Sequence, residues 1–88
     1  MCTYETASEQ VQGSAKGPGG EWFHVSRATV YFDHPVHAMV AHSLNIDLAD
    51  PAKGPDVRIW IELTAASARA LVEAIDAVLR SVPDALVS

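Results

Sequence analysis

Three of the four histidines in this 88-residue chain fall within the stretch Tyr31–His42, at His34, His37 and His42. Imidazole is the commonest neutral ligand for zinc, copper, nickel and iron. Three imidazoles with a fourth position left open match the coordination of a catalytic zinc. Spacing alone does not gather them, because residues three apart on an extended strand face opposite ways. Pro35 supplies the bend. Its φ suits the second position of a type I or II turn, and it biases His34 toward the extended backbone of a strand's last residue. Val36 tolerates the third position of type I but not the positive φ of type II. A turn across His34-Pro35-Val36-His37 would set its end Cα atoms within about 7 Å. His42 would then return across a short Ala38–Ala41 loop at the start of the next strand.

Cys2 is the one cysteine and a fourth candidate ligand. Its thiolate would favour zinc, copper(I) or iron over magnesium or calcium. Trimming of Met1 would add a free amine on the same residue. The alternative for Cys2 is a small buried residue on the first strand. Antiparallel pairing about a turn centred near residue 18 puts residue 2 opposite about residue 34, which ties Cys2 to the histidines. Asp33 either accepts from an imidazole N–H and so orients the ring, or caps the turn. Glu5 is a general base or the polar half of an alternating strand, and His24 lies too far along its strand to join. No nucleophile elbow is present.

The elements that must position these groups follow from periodicity. Cys2–Val11 has the Thr, Tyr and Val content of a strand, and Gly13–Gly20 is a glycine-rich hairpin connection without the Gly-Lys-Ser/Thr of a phosphate loop. Trp22–Val25 and Ala28–Asp33 form one long kinked strand or two short ones, broken near Ser26-Arg27. Ser43–Leu48 alternates, with Leu44, Ile46 and Leu48 inward and Ser43, Asn45 and Asp47 outward. Ala49–Asp56 is a loop. Val57–Leu63 alternates again, with Arg58, Trp60 and Glu62 on the second face. Thr64 caps a helix over 65–82, whose Ala68, Leu71, Val72, Ile75, Val78, Leu79 and Val82 make one apolar stripe, and Pro83 ends it. The fold class is α+β: a three- to four-stranded, mainly antiparallel sheet with one C-terminal helix packed on one face. Trp60, Tyr31 and Trp22 on the other face suggest a surface that a partner covers.

Size and charge narrow the function. Residues 1–88 make a single domain, and at this length burial barely offsets the ~1.5 kcal/mol lost per ordered residue. A partner subunit or a metal is expected to supply the difference, since one cysteine cannot close an intrachain disulfide. A net charge of −5, with the six basic residues scattered, argues against nucleic acid. No signal peptide and no apolar run of about 18 residues is present, so a cytoplasmic protein with no membrane partner is expected.

Several stretches look familiar together: Met1-Cys2-Thr3-Tyr4-Glu5, Gly13-Ser14-Ala15-Lys16-Gly17, Tyr31-Phe32-Asp33-His34-Pro35, His42-Ser43-Leu44-Asn45-Ile46-Asp47 and Glu62-Leu63-Thr64. Over essentially the whole length they resemble a family of short bacterial proteins catalogued as a domain of unknown function. That resemblance implies one domain and no established reaction, and it assigns no residue a role. From the residues themselves three readings stand. The first is a small metal-binding protein, or a metalloenzyme, holding a transition metal ion (zinc, copper, nickel or iron) through His34, His37 and His42 with Cys2 as a further ligand. The second is a metal-free enzyme with one histidine as acid or base over a pocket between sheet and helix. The third is a non-catalytic homo-oligomeric module, a dimer or higher. The metal-binding reading is the one expected, and its substrate is not legible.

Overall fold

The computed structural model describes residues 4–87. Four strands, β1 (Thr6–Lys16), β2 (Trp22–Asp33), β3 (Ser43–Ala49) and β4 (Arg58–Leu63), pair in chain order as an antiparallel meander, and helix α1 (Ala65–Ser81) follows. This is the expected α+β layout. The first strand starts and ends later than its composition indicates, running through Gly13 to Lys16. The connection tightens to Gly17–Glu21, where the Gly17 amide donates to the Glu21 carbonyl at 2.7 Å and the Gly20 amide to the Gly17 carbonyl at 2.9 Å. Gly20 takes φ +84°, a conformation that other residues rarely adopt.

Register decides the faces. Thr6 opposes Tyr31, one residue from the expected pairing. The irregularity expected near Ser26 is real, but β1 carries it. Gln10 opposes Arg27 and Gly13 opposes Val25, so Val11 and Gln12 stand against Ser26 alone as a bulge, while β2 runs through unbroken. Across the rest of the sheet three rows line one face: Ala28, Leu48 and Ile59; Val30, Ile46 and Ile61; Phe32, Leu44 and Leu63. The rows of the other face are Arg27, Ala49 and Arg58; Thr29, Asp47 and Trp60; Tyr31, Asn45 and Glu62. Trp22 has the parity of Val30 and Phe32, so it does not join Trp60 as expected.

Burial inverts the expected inside and outside of β3. Ser43 is fully buried and Asn45 nearly so, whereas Leu44, Ile46 and Leu48 are only half-buried. The polar face is roofed by chain, because the segment between β2 and β3 folds back over it. Ser43 Oγ donates to Asn45 Oδ1 at 2.6 Å beneath that roof, which satisfies both groups. Among the described residues the apolar face meets α1, with Tyr4 and His42 against Phe32 at one end. The helix lies beside the sheet with Ala65, Ala68, Leu71, Val72 and Ile75 facing Val30, Phe32, Leu44, Ile46 and Leu63 across a groove of about 490 Å³. No residue of α1 is buried; Val72 is 66% exposed and Val78 63%. Among the described residues, Val25 and Ala49 are the only buried apolar side chains. No helix among them is long and apolar enough to cross a membrane.

The helix start is built as its sequence dictates. Thr64 is extended, its oxygen accepts from the Ser67 amide at 3.1 Å, and its hydroxyl lies 2.9 Å from Ser67 Oγ. On the wet side Arg80 pairs with Asp76 one turn back. Thr64→Ala removes the cap and is expected to lower unfolding free energy by about 1 kcal/mol, read as a shift in the urea midpoint at unchanged slope.

Candidate functional site

The histidine segment is positioned from both ends. Asp33 Oδ1 accepts from the His34 amide at 2.7 Å, the capping role open to it from its place before the proline. Beyond Pro35, the next three amides turn toward one carboxylate. The Val36, His37 and Ala38 amides all donate to Glu62, at 3.1 Å for His37 and 2.9 Å for Ala38. A carboxylate accepts several such bonds at once, and charge strengthens each. The His34–His37 turn is therefore shaped by a side chain of β4. The Ala38 amide most of all, then that of Val36, holds the Glu62 carboxyl below its ordinary range. Partial burial opposes the shift, and the His37 amide and ring charge add to it.

Above that anchor the rings part company. Phe32, His42 and His34 form a short stack: His42 lies 5.7 Å from Phe32 at 10°, and His34 lies 4.7 Å from His42 at 27°. Tyr4 leans on both Phe32 and His42 at about 6 Å. His34 Nδ1 sits 2.9 Å from the Ala41 carbonyl, which can only accept, so that nitrogen carries the proton. His37 lines a depression with Trp60 and Glu62 on the polar face.

These positions overturn the metal-binding reading. No group of three or more His, Cys, Asp or Glu side chains among the described residues is placed to hold a metal ion. Imidazole lone pairs lie in the ring plane, so two stacked rings aim theirs along nearly parallel planes, not at one point. His34 and His42 are brought together, but as a stack. His37 is carried to the other face by the Glu62 anchor. Cys2 lies outside the described residues.

Two polar constellations went unread in the sequence. Asp50 is buried at the end of β3, accepts from Ser26 Oγ at 3.3 Å and lies 3.8 Å from His24 Nδ1. His24 thus has a partner that its spacing from the other histidines gave no reason to seek. On the polar face Asp47 Oδ2 meets Arg58 Nη2 at 3.1 Å, and the Arg58 guanidinium lies 5.9 Å from the Trp60 ring. Glu62 as loop anchor was also missed. The available signal was its parity with Trp60 on a strand next to β3, together with three unprolinated residues directly after Pro35.

The chain belongs to a family of unknown function, DUF6295, whose profile matches residues 1–88. No curated relative and no solved structure matches it.

The amides bind the ionised form of Glu62, so its folded pKa lies below the ordinary 4.5. The anchoring is complete above that ordinary value and is lost as pH falls through the lower folded one. Amide exchange measured by NMR at fixed pH near neutrality should show Val36, His37 and Ala38 exchanging roughly tenfold faster in Glu62→Gln, which has no charge and one acceptor oxygen. Their chemical shifts should also lose the acid transition seen in the parent.

Proposed function

We propose that this protein is a self-assembling, non-catalytic module: a homo-oligomer that presents a fixed surface and does not turn over a substrate. The observation that carries this reading is how little of its apolar side chain is out of water. A monomeric protein of this 9.4 kDa mass exposes about 5,000 Å²; this chain exposes 6,782 Å². Its radius of gyration is 14.5 Å, against about 12 Å for a self-contained domain of the same length. Apolar stripes on helix and sheet are made to be buried, and here the chain's own residues leave them half open.

The histidines fit the same reading. His34 and His42 act as flat packing groups at the mouth of β2 and β3, and His24 is a neighbour of Asp50. Outside the apolar face, the loop anchored on Glu62 exposes Val36 and Met39, and Val36 lines a depression with Trp60.

Sedimentation equilibrium on untagged protein at micromolar concentration should return a mass at least twice that of the chain. Because association stabilises only the folded state, the thermal midpoint should climb with protein concentration. A folded species at the single-chain mass, with a midpoint independent of concentration, would refute the module.

A further inference from the structure

Resting on that reading, we infer that the occupant of the groove between α1 and the sheet is the apolar face of a second copy, packed about a two-fold axis with α1 of each chain against the other. Three observations point to this face and this occupant.

The first is the shape of the stripe. Ala68, Leu71, Ile75 and Val78 recur at steps of three, four and three, the a and d spacing with which one helix seats its side chains into another of the same sequence. Val72 and Leu79 widen the stripe beyond what a single contact needs. The helix thus has apolar surface for two neighbours. Its own sheet, near the N-terminal half, supplies one.

The second is area. The chain exposes about 1,800 Å² more than its mass predicts. Two copies each burying an excess of that size would hide about 3,600 Å² in total, within the range of obligate homodimers and beyond that of transient contacts. A small peptide in the groove would leave most of the excess wet.

The third is charge. The chain carries −5 overall, which opposes bringing two copies together unless the contact is neutral. The stripe positions are uncharged; Arg69 is the single charged side chain lining the groove, and Glu73, Asp76 and Arg80 lie off the stripe. The alternative face, around Trp60, carries Asp47, Arg58 and Glu62. Burying that face would mean desolvating three charged side chains, Asp47 and Arg58 of which already pair with each other.

An isologous interface meets each substitution twice. Val72→Glu and Val78→Glu change side chains that are mostly exposed within one chain, so each should spare the single-chain fold. Each is expected to raise the dimer dissociation constant at least about a hundredfold, read by sedimentation velocity over a concentration series, with Trp60→Glu left at the parent value. If either variant proves too unstable to sediment cleanly, the concentration dependence of the thermal midpoint in Trp60→Glu decides: retained, it supports the helix face; abolished, it overturns it. Dimers that persist in Val72→Glu and Val78→Glu but part in Trp60→Glu would overturn this face while leaving the oligomer standing. A parent protein that is a stable monomer would overturn both.

Discussion

The pairing that sets Val30, Ile46 and Ile61 in one row fixes everything else about this chain. Side chains alternate strictly along a strand, so a slip of one residue anywhere in that pairing would send the branched residues to the polar side. With the register held, one face of the sheet is apolar over three rows. Thr64 then starts a helix directly after β4, with no room to swing to the other side. Helix and apolar rows are thereby forced onto the same side of the sheet. Yet a single helix about 10 Å across, packed chiefly against β3 and β4, leaves much of a four-stranded face open. The open groove is the geometric remainder of a small chain whose two apolar surfaces face each other without closing.

The polar face solves its own covering problem differently. Glu62 stands beside Asn45 in the outer row, and its carboxylate gathers three successive amides of the β2–β3 connection. Those amides would otherwise have to find water or one another. Their capture draws the connection over Ser43 and Asn45, and burying those two groups is tolerable because they satisfy each other. The same capture decides the fate of the histidines. Pinning 36–38 onto one face commits His37 there, while His42 has the parity of Phe32 and stacks on it from the other. An ionic anchor two strands away thus accounts for a ligand set that fails to converge.

Much of the fold was legible because short-range chemistry and long-range packing agree. The alternation in 43–48 and 57–63, the Thr64 cap, the stripe and Pro83 each name an element that forms within a residue or two of its expected bounds. The glycine-rich stretch misled, because glycine permits a strand as well as a turn, and pairing with Trp22–Val25 carried β1 through Gly13. The histidine site misled for a deeper reason. Proline marks that a bend occurs, but the direction in which its flanks point was set by Glu62, a residue distant in sequence and one of several acidic side chains with equal claim. Which face would be roofed was likewise illegible. Leu44 and Ser43 follow the usual rule of apolar in and polar out, and only the path of the loop reverses it.

The contrast between edges and face narrows how such a chain would associate. A sheet edge is the ready route to assembly, since its free amides and carbonyls can template another strand. β1 is the long edge, and it is blunted by a bulge between Gln10 and Gly13 and by Glu9 and Lys16 along its length. β4, at the other edge, has six residues and runs at once into the capped helix. Protection of this kind lowers the chance of open-ended, strand-to-strand growth. The helix stripe has no such device among the described residues: no charge interrupts Leu71, Val72, Ile75, Val78 and Leu79, all of which are exposed. In the proposed oligomer, guarded edges and one bare helical seam favour closed, symmetric pairing over polymerisation.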